Sequence, residues 1–277
     1  MRVMCLLEIY FKKNEEVTYF CDRLYHLTNE IHVQWETNKD WGNRLYVRIL
    51  TDEMKTAVAK ALAHVFITYH LTDYLKKILR HTYYYTNDEE LKRMTHLSET
   101  MLLDDEILLK NKRLIDWLED IFLEQINENN ALHFHSVIQF RFTHLKYLLE
   151  QIVGLAIDDY KREEEHQAFI HTLREYMNRK KTGDKCVHVL QGDPFSFFSS
   201  DGERLTSKDL IQIMKQEPLY IVGLDGNEMN LAPLIAIAPN KIYIYGEDPS
   251  EPKTMTVINV FQEKVMFLPL SEFPFSI

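Results

Sequence analysis

Residues 241–268 read KIYIYGEDPSEPKTMTVINVFQEKVMFL, and this stretch decides the fold. Lys241 to Tyr245 is rich in β-branched and aromatic residues and predicts a strand, and Gly246 to Pro252 has the content of a loop. Lys253 to Gln262 has the length and spacing of a helix, and Lys264 to Leu268 reads as a second strand. If this strand-helix-strand succession is a crossover, its two strands pair in parallel.

Upstream of it, Lys185 to Gln191 and Phe195 to Ser199 are strand-like, and Ser200-Asp201-Gly202 supplies a tight turn. Ser207 can cap a helix through Met214, and Leu219 to Gly223 predicts another strand. An apolar segment, Asn230 to Ala238, is closed by Pro239. All eight prolines lie at or beyond Pro194. Because proline removes a backbone donor and crowds the preceding turn, short elements belong after that point and long helices before it.

The first fifty residues predict strands at Met4–Phe11, Ile31–Glu36 and Arg44–Leu50, with Gly42 and Asn43 marking the turn between the last two. Between the first and second strands, Asn14 to Asn29 carries Val17, Phe20, Cys21, Leu24 and Leu27 on one helical face. From Thr51, an N-cap followed by Asp52 and Glu53, an apolar stripe predicts a helix running to about Tyr83-Tyr84-Tyr85. Asn87 with Glu90 marks another start resembling a capping box, and Lys112–Glu128 is a further helix. Ser136–Lys181 predicts a helical pair interrupted or kinked near Gly154. The fold class is α+β: a small N-terminal β-α-β-β unit (1–50), a central helical bundle (51–181), and a C-terminal α/β unit (182–277) with a strand-helix-strand end.

The composition, 45% hydrophobic and 27% charged over 277 residues, is that of a soluble globular chain of one or two domains. No stretch approaches the roughly 20 apolar residues of a membrane helix, and the opening residues are too short an apolar run for a signal peptide, so no membrane contact and a cytoplasmic location are expected. Cys5, Cys21 and Cys186 have neither disulfide-framework nor metal-site spacing and read as reduced, mostly buried thiols. The net charge of −10 argues against coating nucleic acid through bulk charge.

No phosphate loop, dinucleotide turn, zinc-protease helix or nucleophile elbow is present, and no cofactor is expected. Glu163-x-x-His166 is the helical pair that ferritin-like bundles use twice, but it occurs once, so the expectation is a solvated acidic face and no metal. His133-Phe134-His135 borders a helix, and an i, i+2 pair shares a face only in a strand, so both histidines read as polar residues at a helix start. Arg141, Lys146, Arg174 and Lys180, with Arg179 and Lys181, form the basic feature of the 136–181 helices. They are candidates for a partner or nucleic-acid contact, against a reading as helix-end charge compensation and solvated surface. His188, Asp225 and Tyr245 are candidates for a pocket at the carboxyl ends of the C-terminal strands.

Three stretches resemble the YtxC-like family, whose members are described as sporulation proteins. The first is Val137-Ile138-Gln139-Phe140-Arg141-Phe142, followed by Thr143 where the family usually has lysine. The second is Glu165-His166-Gln167-Ala168-Phe169-Ile170 through Tyr176-Met177, with Val187-His188-Val189 after it; His166 and Ala168 depart from the pattern. The third runs from Pro233 to Tyr245, with Val260 to Val265 following, and Tyr245 stands where many relatives have histidine. The resemblance covers about residues 135–268 and implies a cytoplasmic, sporulation-associated protein with no assigned activity and no catalytic residues to carry over. The expected function is non-enzymatic interaction or regulation with an unknown protein partner. The alternatives are nucleic-acid binding through the basic helices, or an enzyme with its site in the C-terminal unit.

Overall fold

The computed structural model describes residues 5–28, 31–38, 42–104, 111–180 and 185–275. Met4, Asn29, Lys181 and the Thr182-Gly183-Asp184 boundary lie outside the described residues, as does the side chain of Cys5. The class is α+β. The chain packs as two compact units, Met1–Lys161 and Arg162–Ile277.

In the first unit, strands β1 (Cys5–Phe11), β2 (His32–Asn38), β3 (Gly42–Ile49) and β4 (Ala131–His133) form a sheet of order β2-β3-β1-β4. β3 is antiparallel to both β1 and β2, while β4 pairs parallel to β1. Alternation sorts the two faces: Leu7, Ile9, Phe11, Leu45, Val47 and Ile49 are buried. On the other face Arg44 pairs with Glu8 (2.6 Å) and lies over the Tyr46 ring. Gly42 and Asn43, expected in a turn, are instead the first residues of β3, paired with Asn38 and Thr37. Gly42 sits at φ +82°, and a Cβ there would stand 2.8 Å from the Phe11 carbonyl oxygen. The three-residue β4 was not expected, and it returns to the sheet after four described helices.

The buried sheet face packs with α1 (Asn14–Leu27), α2 (Asp52–Tyr69) and α5 (Leu114–Glu128), accompanied by α3 (Leu71–His81) and α4 (Asp88–Leu103). The Thr51 side chain accepts from the Met54 N–H and caps α2, and Asn87 accepts from Glu89 and Glu90 to cap α4. α2 buries Val58, Ala59, Ala61, Leu62, Ala63, Val65 and Phe66, nearly its whole circumference, as a central helix must. The expected continuous helix from Thr51 to Tyr85 is broken at His70, whose backbone leaves the helical region (φ −127°, ψ −24°). The imidazole there is engaged by Glu16, 54 positions away, a contact that no local period encodes.

The expected break at Gly154 does not occur. The helical pair divides at Phe142, between α6 (Phe134–Arg141) and α7 (Thr143–Arg179), and α7 runs unbroken through Gly154. The glycine is a spacer: its missing Cβ would stand 3.0 Å from the Tyr83 hydroxyl, which donates to the Glu150 carbonyl at 2.8 Å. Gly154→Leu is therefore expected to cost about 1–3 kcal/mol through overpacking. A hinge glycine would instead gain helix propensity on substitution. Urea unfolding followed by tryptophan fluorescence distinguishes the two, since all three tryptophans fall in residues 1–161, the span of the first unit.

The second unit holds β5 (Cys186–Leu190), β6 (Ser196–Ser199), β7 (Arg204–Leu205), β8 (Lys241–Gly246) and β9 (Val265–Pro269) in the order β7-β6-β5-β8-β9. β5, β8 and β9 are parallel, and α10 (Pro252–Phe261) is the crossover expected between β8 and β9. The helix after β7, α8 (Ser207–Met214), is capped by Thr206 rather than Ser207. Leu219–Gly223 is not a strand but a 3₁₀ turn, Leu219–Val222, closed by Gly223 at φ +74°. Only Leu219 and Val222 are buried, at a spacing of three, while Tyr220 and Ile221 are 80% and 63% exposed. The apolar segment becomes α9 (Ala232–Ile237), preceded by the Glu228 carboxylate, which accepts from the N–H groups of Asn230, Leu231 and Ala232.

Candidate functional site

In the first unit, His70, the residue before α3, and Asp73, Tyr74, Lys77, Ile78 and His81 of α3 follow one stripe, the spacing of three and four that shares a helical face. With Lys12 after β1, His135, Ile138 and Gln139 of α6, and Lys146 of α7, this stripe lines a cleft of about 600 Å³. Its walls carry three lysines and three histidines against one acid, Asp73, in a chain of net charge −10. Lys146 also stands 3.6 Å from Glu150, which accepts from Thr82 at 3.0 Å.

Behind the cleft lies Glu16, fully buried. One carboxylate oxygen, Oε2, accepts from the Lys13 N–H at 3.2 Å at the start of α1. The other, Oε1, meets His70 Nε2 at 2.8 Å, and His135 Nε2 stands 3.6 Å from it. Burial acts to raise the Glu16 pKa. The hydrogen bonds from His70 and Lys13, with the nearby charge of His135 and His70, outweigh it and hold the carboxyl below its ordinary value. His135 is held below the ordinary histidine value, first by burial. Its Nδ1 is buried and has no hydrogen-bond partner. The histidines stand edge to face, ring centroids 5.1 Å apart, and Phe134 packs against both. One donor atom from each of Glu16, His70 and His135 falls within 4.8 Å of the others.

The expected site residues are placed apart. Arg141 is exposed beside a smaller recess of about 370 Å³, and Lys146 is on the main cleft. Arg174 and Lys180 belong to the second unit and are engaged there. Arg174 donates to the Asn259 carbonyl (2.7 Å); Lys180 donates to the Ile235 (3.1 Å) and Ala236 (2.8 Å) carbonyls and pairs with Glu217 (2.8 Å). His188 and Tyr245 come together, Nδ1 to hydroxyl at 2.9 Å, with Tyr243 stacked on the imidazole and Phe275 meeting it edge-on. Asp225 lies in a separate turn, where it accepts from Asn227. Glu163 and His166 are both exposed on α7. The Cys21 thiol is pushed up to about 11 by burial and by Asp22, which makes it a poor nucleophile.

Glu16, His70, Lys12 and Lys77 were not singled out from sequence, and His135 was read as a helix-start residue. The α3 stripe was visible as spacing, but its convergence with β1, α1 and α6 is a tertiary event.

The model of the YtxC-like family matches residues 56–266, three quarters of the chain. The chain belongs to that family. It is similar to a Bacillus subtilis (strain 168) relative named "Uncharacterized protein YtxC", 29% identical over 213 residues, covering 73% of this chain and 72% of the relative. No solved structure matches it. The family match includes His70 and His135 and begins after Glu16. Among the described residues, no helix is long and apolar enough to cross a membrane.

Proposed function

We propose that this YtxC-like protein binds a small multivalent anion, bearing phosphate or carboxylate groups, in the cleft of its first unit, and acts as a non-enzymatic regulator whose ligand state a protein partner reads. The observation that carries the reading is the local inversion of charge: Lys12, Lys77 and Lys146 face one cavity beside three histidines, while the chain as a whole repels anions. The volume lies within the about 300–1,000 Å³ of ordinary small-ligand sites. The sporulation association implied by the family resemblance belongs to this reading as its cellular setting. Nucleic-acid binding is less well supported, because Arg174 and Lys180 donate to carbonyls of their own unit.

Calorimetric titration of the full chain with pyrophosphate and with citrate tests it. Saturable binding that weakens with salt is expected, and Lys77→Glu with Lys146→Glu weakens it on the order of tenfold or more, the equivalent of about 1.4 kcal/mol. Arg141→Glu, outside the cleft lining, leaves affinity unchanged. Absence of saturable binding, or binding indifferent to the double reversal, overturns the proposal.

A further inference from the structure

We infer that Glu16, His70 and His135 form a binding site for one divalent transition-metal ion of the zinc class. The set is one carboxylate and two imidazoles, a donor combination suited to zinc with a fourth position left open. Glu16 Oε1 stands 2.8 Å from His70 Nε2 and 3.6 Å from His135 Nε2, and all three donors lie within 4.8 Å. A tetrahedral ion with bonds of about 2.0–2.1 Å places its ligands roughly 3.3 Å apart. The two separations from Glu16 Oε1 bracket that value, and the two imidazole donors lie within 4.8 Å of each other.

The second observation is the state of His135. Its Nε2, the ring nitrogen that approaches the carboxylate, is 3.6 Å from Glu16 Oε1, beyond a hydrogen bond. A proton shared between Glu16 and His70 satisfies those two groups and leaves His135 with nothing. A cation among the three bonds Glu16 Oε1, His70 Nε2 and His135 Nε2 and compensates the fully buried carboxylate. Three elements hold the donors: the first turn of α1, the break between α2 and α3, and the first turn of α6. Glu16 and a divalent ion together carry one positive charge, and two of the three donors, His70 and His135, line the cleft, where Lys12, Lys77 and Lys146 favour an anion or water over a neutral ligand. The inference does not depend on the anion-binding reading, because Glu16 is outside the cleft lining and metal binding is measured without added anion.

The test uses the untagged full chain, stripped with a chelator and titrated with zinc and with cobalt(II). One equivalent is expected, with the visible cobalt bands of a four- or five-coordinate ion. His70→Gln and His135→Gln should each weaken zinc by at least about 100-fold, more than loss of an outer-shell partner costs, while His188→Gln and His166→Gln leave it unchanged. Circular dichroism of the metal-free variants checks that they fold. A measurement needing no variant is zinc protection of His70 and His135 from carbethoxylation, read by mass spectrometry in the natural protein. A stoichiometry well below one, a wholly octahedral cobalt spectrum, or unprotected His70 and His135 overturns the site. Anion binding that persists in the chelated protein while metal binding fails overturns this site alone and leaves the cleft reading standing.

Discussion

Replacing Phe134 with alanine is expected to destabilise the first unit by about 3–5 kcal/mol, the ordinary cost of emptying a fully buried aromatic site. Phe134 has no exposed surface and meets Phe122 at 5.6 Å with the rings nearly parallel, Phe11 at 5.1 Å, and His70 at 5.5 Å. The cavity would be lined by other fixed rings, Phe122 itself packing on Phe142, so little collapse can offset the loss. Because the chain has two compact units, a single whole-chain unfolding energy is ill-defined. Tryptophan fluorescence solves this, since all three tryptophans fall in residues 1–161. A loss under about 1 kcal/mol in urea would show that Phe134 is not a keystone of this core. The same ring fixes the spacing of His70 and His135, so a milder change, Phe134→Leu, should perturb ligand binding in the cleft before it unfolds the unit.

Lys180→Ala is expected to cost the second unit about 2–3 kcal/mol, the range for losing hydrogen bonds to a charged group and leaving their partners unmade. The Lys180 side chain is only 17% exposed, and its ammonium serves three acceptors: the Ile235 and Ala236 carbonyls near the end of α9, and Glu217. Those carbonyls have no helical partner of their own, so the lysine acts as their cap. Hydrogen-exchange protection of the β8 amides, in the same unit, reports the loss. Acid adds a sign. Burial raises the Glu217 pKa, but Lys180 and the Tyr176 hydroxyl outweigh it and hold the carboxyl below its ordinary 4.5. The pair's contribution is therefore present above about pH 4.5 and is lost as pH falls through the lowered value. The natural protein and the variant should converge in that window, without meeting, because the carbonyl bonds survive protonation. A gap that stays constant through the acid range would assign the whole effect to the carbonyls.

The two residues locate the limits of sequence reading. Lys180 was visible as part of a basic run, and a solvated or phosphate-binding surface followed from its neighbours in sequence. Its acceptors belong to segments 37 to 56 positions away, so its role could not be read locally. Gly154 shows the same limit within a helix: its composition suggested a break, but Tyr83, from another helix end, fills the space a side chain would take. Leu219–Gly223 reads as a strand because so short an apolar run has no period to measure. The exposure pattern of Leu219–Val222, outer residues in and inner residues out, appears only once it is packed.

The sequence by itself determined the α+β class, the capped starts of α2 at Thr51 and α4 at Asn87, and the parallel crossover from Lys241 to Leu268. Each of these is written in periodicity, capping or connection length, which act over a few residues to a few turns. Only tertiary structure decided the fourth strand, the helix break at His70, the unbroken α7, and the meeting of Glu16, His70 and His135. These depend on side chains from distant segments sharing one desolvated space, where a buried carboxylate must find partners, and the partners' spacing along the chain carries no record of that need.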